Sequence, residues 1–307
     1  MNAAVSQPTD RPGDGHPGIL AVIEYGADGI ATGHRVVDAL APQLTVTELA
    51  ATRGDGVFES ISVTDGRLQA LDAHLERFAH SAAMLDLPAP ELPVWRAAIA
   101  EVAALLGAET GASEALVKTV LSRGVEGRGV PTGWAYGFVS PDFTAARTDG
   151  IRIVLLDRGY RHDVASTSPW LLAGAKTLSY AVNRAVVREA ARRGADDVLF
   201  TSSDGYLLEG AVSNLLLRRG EELVTPRTDI GILTGTTQAD LFRWAEEAGF
   251  RIGYELLTPA DLASADAAWL VSSGRHVAPI RAVDGVERAI DAELTGRMNE
   301  FLHNRES

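Results

Sequence analysis

Two residues in this sequence can do what its many arginines cannot. Of 28 basic side chains only Lys118 and Lys176 are lysines. Arginine stays protonated and delocalised, whereas a desolvated lysine amine becomes nucleophilic and can form an imine with a carbonyl. A chain that uses arginine wherever a positive charge suffices marks its lysines as candidates for amine chemistry. Lys176 lies in GAKTLSY, where Gly174 and Ala175 are small enough for the backbone to approach a flat ring. Taken alone, the motif reads more simply as an exposed lysine at a helix start, and the scarcity of lysine shifts the balance part of the way.

Three further patterns carry charge or anion-binding groups. Glu209 ends the apolar run of LLEGAVSN. A carboxylate there either faces solvent or is buried with a partner. A protonated pyridine nitrogen is one such partner, and the pairing would keep a ring cofactor electron-withdrawing. In GILTGTTQADLF, Thr236 and Thr237 open a helix and present N–H groups, hydroxyls and the positive end of the helix dipole to an anion. No GK[ST] triplet follows, so this is not a Walker loop, and a plain threonine N-cap is the simpler reading. Arg77, in DAHLERFAHSA, falls off the apolar stripe on a face shared with His74 and Ser81. By itself it reads as a solvated helix-face arginine.

The elements that must position these residues follow from periodicity and turn chemistry. GDGVFESISVTDGRLQAL predicts two strands around the Asp65-Gly66 turn. Asp72 is expected to cap a helix with Leu75, Phe78, Ala82 and Leu85 on one stripe, ended by Leu87-Pro88. WRAAIAEVAALLGA predicts a second helix stopped at Gly107, and EALVKTVLSRG and WAYGFVS predict strands around a glycine-rich loop. Beyond the polar segment 140–150, IRIVLLDRG reads as a strand and TLSYAVNRAVVREAARRG as a helix closing on Gly194. Hairpins around Asp204-Gly205 and within SNLLLRRGEELVTP follow, then a helix after Thr237, a strand near Arg251–Leu256 and the strand AAWLVSS. The division expected is disorder over 1–18, a small domain at 19–142, a linker at 143–150 and a larger domain at 151–307.

At 307 residues with 46% hydrophobic and 22% charged content, the chain is long enough for two globular domains. No apolar run reaches bilayer length and the first residues lack a signal-peptide pattern, so a cytoplasmic protein without membrane association is expected. The absence of cysteine excludes disulfides, thiolate metal sites and cysteine nucleophiles, and no metal is expected. A net charge of −13 argues against nucleic acid as a partner. Any anionic ligand must be held by local basic groups against that field.

Seven blocks in order, GDGVFESISV, HLERFAHSA, SRGVEGRG, AGAKTLSY, ARRGADDVLFTSSDGYLLEGAVSN, GILTGTTQ and VSSGRHVAPIRAVDG, resemble the fold-type IV family of pyridoxal-phosphate enzymes. The resemblance spans about Thr52 to Gly285. It implies a two-domain α/β (α+β) fold: a small N-terminal α/β domain, then a larger C-terminal domain with a β-barrel-like core. It also implies pyridoxal 5′-phosphate as cofactor and a homodimer. Lys176 would carry the cofactor as an imine and move the proton, and Glu209 would pair with the pyridine nitrogen. Arg77, Thr236, Thr237 and Ser273 would bind the phosphate. Tyr180 matches a tyrosine that in branched-chain members sits near the cofactor's phenolic oxygen.

Within the family, SRGVEGRGVP resembles the loop of aminodeoxychorismate lyases, with Arg128 between Gly127 and Gly129. D-amino-acid aminotransferases place a histidine where this chain has Val130. Arg275 in GRHVAP differs from the small-residue turn of branched-chain aminotransferases and suits a more anionic substrate. Arg128 and Arg275 are therefore the candidate substrate-binding residues for an anionic amine. The reading favoured is a 4-amino-4-deoxychorismate lyase of folate synthesis, giving 4-aminobenzoate and pyruvate. The alternatives are a D-alanine or branched-chain aminotransferase and, in another class, a non-catalytic phosphate- or nucleotide-binding module.

Overall fold

A computed structural model describes residues 17–305. The disorder expected over 1–18 therefore lies outside the described residues except at its end, where the Pro17 carbonyl accepts a hydrogen bond from Tyr136. The chain divides into two compact units. Among the described residues one comprises 17–142 together with Ala175–Tyr180, and the other Phe143–Gly174 together with Ala181–Arg305. Both mix helices with a curved sheet, the fold-type IV architecture implied by the sequence blocks.

The first unit is built on a six-stranded sheet among the described residues. Its strands are β1 (Ile19–Tyr25), β2 (Ala31–Val37), β3 (Gly56–Thr64), β4 (Arg67–Leu68), β5 (Glu114–Ser122) and β6 (Thr132–Val139). The spatial order is β2-β1-β6-β5-β3-β4. The β3–β4 turn is Asp65-Gly66, both at positive φ as a two-residue hairpin turn requires. Side chains alternate across the sheet. One face carries Val57, Ile61, Val117 and Ala135, all fully buried, and helices Leu71–Met84 and Leu92–Thr110 pack on the sheet. Phe78 and Trp95 meet edge to face with centroids 4.9 Å apart beneath them.

Three local expectations are corrected here. Asp72 does not cap its helix: Ala70 is the N-cap, in the left-handed region, and Asp72 lies in the first turn facing Arg96 on the surface. The second helix passes Gly107, where nothing lies close enough to obstruct a side chain, and ends at Gly111. Gly111 takes the left-handed conformation that closes helices and donates its N–H to the Gly107 carbonyl at 2.9 Å. The helix predicted from Thr177 begins at Ala181 instead. Residues 176–178 are engaged elsewhere, as additions to the end of β3.

The second unit carries a nine-stranded sheet among the described residues. Its strands are β7 (Ile151–Asp157), β8 (Asp197–Thr201), β9 (Leu207–Gly210), β10 (Asn214–Arg219), β11 (Glu222–Pro226), β12 (Arg251–Glu255), β13 (Ala267–Ser272), β14 (His276–Val283) and β15 (Val286–Glu287). The order is β12-β11-β10-β13-β14-β7-β8-β9, with β15 on β14. Ile153, Leu199, Leu207, Leu215, Leu217, Leu270 and Ile280 form one apolar cluster contributed by six strands, the barrel-like core. Alternate residues point outward. Leu216, Trp269 and Val271 meet helices Thr236–Glu247 and Ala292–Asn304, while Val198 and Phe200 meet helix Ala181–Arg192. Within 140–150, Thr144–Thr148 is a short helix of this unit. Among the described residues no helix is long and apolar enough to cross a membrane.

Candidate active site

Lys176 is positioned by backbone pairing. Its carbonyl accepts the Phe58 N–H at 3.0 Å, and the Leu178 N–H donates to the Gly56 carbonyl at 2.8 Å. The N–H of Lys176 itself donates to Ser81 Oγ at 3.2 Å. A Cβ on Gly56 would lie 2.6 Å from the Leu121 carbonyl and 2.8 Å from Leu178, so only glycine lets this segment lie so close to the sheet. Lys176 Nζ stands 4.6 Å from the centroid of the Phe58 ring, and Tyr180 meets the same ring edge-on at 5.4 Å. Phe58 thus ties Lys176 and Tyr180 together.

Arg77 is not a solvated arginine. Its helix presents His74, Arg77 and Ser81 along one row, and both His74 and Ser81 are buried. Arg77 Nε and Nη2 donate to the two oxygens of Glu59, each at 2.7 Å, and Glu59 Oε2 also lies 2.7 Å from His74 Nδ1. Glu59 is fully buried on β3. Burial works to raise its pKa, but the charge of Arg77 and the bonds from Arg77 and His74 outweigh it, holding the carboxyl well below the usual range. His74 is held low by burial, against the pull of Glu59. The bidentate grip fixes the plane of the guanidinium.

In the second unit Glu209 is partly buried on β9, and its Oε2 accepts the Leu233 N–H at 3.2 Å. Asn214 Nδ2 donates to the Leu233 carbonyl at 2.8 Å. The peptide groups around Leu233 are thus clamped from both sides, directly before helix Thr236–Glu247. Gly235 is the N-cap, and a Cβ there would lie 2.0 Å from Asn214 Oδ1, so the clamp demands glycine. Thr236 and Thr237 are buried in the first turn, and Thr237 Oγ1 is 3.4 Å from Ser273 Oγ. Tyr160 carries a raised pKa, from burial first and with the charge of Glu209 adding to it. Arg158 stacks over Phe200 with its guanidinium 4.3 Å from the ring centroid.

The two candidate substrate arginines differ. Arg128 is exposed in the loop joining β5 to β6, between Gly127 and Gly129 at positive φ. The base of that loop is pinned by buried Glu48, which accepts from Ser122 Oγ and, at 2.9 Å, from Thr132 Oγ1. Arg275 is largely buried, and its Nη2 donates to Asp197 Oδ2 at 2.7 Å. Arg147 Nε in turn donates to the Arg275 carbonyl at 3.0 Å.

Several residues here were not assigned a task from sequence. Glu59 meets His74 and Arg77, and Asn214 meets the Leu233 carbonyl, across fifteen to nineteen residues of sequence, contacts that no local pattern encodes. Lys118 did have a signal, the scarcity of lysine, and its Nζ lies 5.8 Å from the Phe58 centroid. Each unit carries groups that suit part of a phosphorylated pyridine aldehyde: in the first an amine beside an aromatic wall and a fixed guanidinium, in the second a partly buried carboxylate and hydroxyls at a helix start.

The amino-transferase class IV family matches residues 56–283. A bifunctional aminodeoxychorismate lyase / D-amino acid transaminase of Mycobacterium tuberculosis is 46% identical over 254 residues, 80% of this chain and 87% of that protein. A solved fold IV-transaminase from Curtobacterium pusillum is 51% identical with a TM-score of 0.89, covering 94% of this chain and 99% of its own. A hypothetical aminotransferase from Mycobacterium tuberculosis, solved in a PLP-bound form, is 40% identical with a TM-score of 0.86, covering 93% and 99%. The chain belongs to the amino-transferase class IV family and is a pyridoxal-phosphate-dependent enzyme.

Proposed function

We propose that the chain is a 4-amino-4-deoxychorismate lyase that releases 4-aminobenzoate and pyruvate, a reaction serving folate synthesis. The observation that carries the chemistry is Lys176, held through its own N–H and carbonyl with its amine against Phe58. When bound, the cofactor supplies an electron sink that makes the substrate carbon bearing nitrogen acidic. Lys176 Nζ takes the proton from that carbon. The enolpyruvyl oxygen on the neighbouring carbon then leaves, the ring becomes aromatic, and proton uptake by the leaving enol gives pyruvate.

The other assignments belong to the same proposal. In the first unit Arg77, fixed by Glu59, binds phosphate, and Tyr180 lies near the cofactor's phenolic oxygen. In the second unit Glu209 pairs with the pyridine nitrogen, and Thr236, Thr237 and Ser273 add to the phosphate set. Exposed Arg128 receives a substrate carboxylate, and Arg275 contributes through the nitrogens that Asp197 does not engage. The chain works as a homodimer, to be checked by light scattering on the purified protein.

D-amino-acid transamination is the second reading, favoured by the Mycobacterium tuberculosis relative that carries both names. The two reactions share the proton transfer and differ in the leaving group. A lyase releases pyruvate from aminodeoxychorismate with no 2-oxo acid present, whereas a transaminase needs one. Purified enzyme that forms no 4-aminobenzoate but converts D-alanine with 2-oxoglutarate reverses the order of the two readings.

A further inference from the structure

We infer that Glu48 is a positioning residue: its buried carboxylate staples the mouth of the β5–β6 loop and so holds Arg128 where a substrate carboxylate meets it. This rests on the reading of Arg128 as a substrate-binding residue. The β5–β6 ladder ends at the pair Ser122 and Thr132, and residues 123–131 form the loop. Glu48 is 1% exposed and sends one oxygen to each side of that last pair. Oε1 accepts from Ser122 Oγ and from the Ala50 N–H at 3.3 Å, and Oε2 accepts from Thr132 Oγ1 at 2.9 Å. Ser122 Oγ in turn accepts the Gly124 N–H at 3.1 Å, which passes the restraint one step into the loop.

The backbone repeats the staple. The Leu49 N–H donates to the Gly124 carbonyl at 3.0 Å and the Glu126 N–H to the Thr47 carbonyl at 3.2 Å, so Glu48 bridges Val125 as a strand would. A Cβ on Gly124 would strike the Val130 carbonyl, so the two limbs of the loop close on each other just beyond the mouth. Past this clamped base the tip stands in solvent. Glu126, Gly127, Arg128 and Gly129 are exposed, and both glycines take the left-handed region. Such a tip has wide conformational freedom, glycine most of all. The placement of Arg128 therefore depends on the base from which the tip springs.

A buried carboxylate is costly unless its donors are in place. Two of the three donors to Glu48 are the hydroxyls that flank the loop. If the mouth opens, Glu48 loses both, so the cost of burying the acid opposes opening. Tight hairpins close with about two residues. A nine-residue connection with a buried acid at its base and an exposed arginine at its tip is built to present that arginine, beyond joining two strands. An arginine placed before substrate arrives loses less freedom on binding, which lowers KM without touching proton transfer at Lys176.

The test compares wild-type, Glu48→Ala and Glu48→Gln holoenzymes. Hydrogen exchange read by mass spectrometry follows the amides of 123–131 against those of β3, and pyruvate release from aminodeoxychorismate gives KM and kcat. If that reaction fails, transamination of D-alanine with 2-oxoglutarate supplies both constants, so loss of the lyase reading leaves the test of Glu48 standing. Glu48→Ala should speed exchange in the loop by about tenfold or more and leave β3 unchanged. It should raise KM by about tenfold, with a much smaller change in kcat. Glutamine keeps an acceptor and adds a donor, and a hydroxyl serves as either, so Glu48→Gln should recover most of both losses. Thr132→Val removes one hydroxyl with little change of shape. It should give the same pattern at smaller size, and it decides the matter if Glu48→Ala does not fold. Unchanged loop exchange or unchanged KM in Glu48→Ala overturns the inference. So does faster exchange spread through β3, which would make Glu48 a residue of general stability. A Glu48→Gln as impaired as Glu48→Ala also overturns it, because the charge would then be the agent. Arg128→Ala tests the reading beneath: unchanged KM there removes Arg128 as the substrate contact, while loop exchange and KM in Glu48→Ala still decide whether Glu48 positions the loop.

Discussion

Arg77 and Glu209 are both charged side chains held partly out of water, yet the two units restrain them by different means. Arg77 is gripped by a fully buried carboxylate, which is itself shared with a buried imidazole. Glu209 accepts a backbone N–H from a turn that Asn214 fixes from the other side. The first arrangement matches charge with charge at low dielectric, where breaking one partner leaves the other stranded. The Leu233 N–H that Glu209 accepts is a neutral dipole, worth far less than a buried charge. A group proposed to bind a dianion can give up part of its charge to a neighbour, because geometry then does much of the work.

Substitutions can break or sharpen this contrast. The largest effect is expected at Lys176. Lys176→Ala should lower turnover by about 10³-fold or more while the folded state persists, and borohydride should no longer fix the cofactor to the protein. Label retained elsewhere on the chain after borohydride would contradict the assignment.

Next is Glu59→Gln, which leaves the Arg77 charge buried without its counter-charge. It should cost about 3–5 kcal/mol in denaturant unfolding and weaken cofactor phosphate binding. A loss under about 1 kcal/mol would mean that Arg77 is solvated and that the contrast is false.

The third prediction concerns pH in the second unit. His276 is buried, and its pKa is pushed down to about 3 by burial first, with Arg147, Arg305 and His303 adding to it. The unfolded chain binds a proton at about 6.5, which the folded chain refuses until far lower pH, so stability falls as pH drops through that window. The slope is about 1.4 kcal/mol per pH unit for one such group. His276→Asn should flatten the acid limb of Tm against pH, and asparagine tolerates the positive φ of 59° found there. His74 is held low in the same way, whereas the Glu59 contribution is lost only below the ordinary carboxylate value of about 4.3. An unaltered acid limb in His276→Asn would remove His276 from this account.

The smallest effect is expected at Asn214. Asn214→Ala removes one bond to the Leu233 carbonyl and should cost about 1–2 kcal/mol, with a modest loss of cofactor affinity. A larger cost than that of Glu59→Gln would invert the comparison.

What the sequence by itself determined is the set of chemical groups and their order. Lysine scarcity, the Gly-Thr-Thr helix start and the seven ordered blocks brought Lys176, Glu209, Thr236 and Thr237 forward, because amine chemistry, helix dipoles and turn glycines are local properties. The Asp65-Gly66 hairpin was legible for the same reason. Only the tertiary structure decided which groups are held, and by what. Arg77 lay on a polar-looking helix row that proves buried, because Glu59, eighteen residues away, comes across from β3 to meet it. The helix after Lys176 starts four residues later than its pattern suggests, because Thr177 bridges to Val57 and leaves the chain extended. Lys118 carried the same compositional mark as Lys176. Only the pairing of β3 with β5 set both amines against Phe58, a juxtaposition fixed by sheet register that no window of sequence contains.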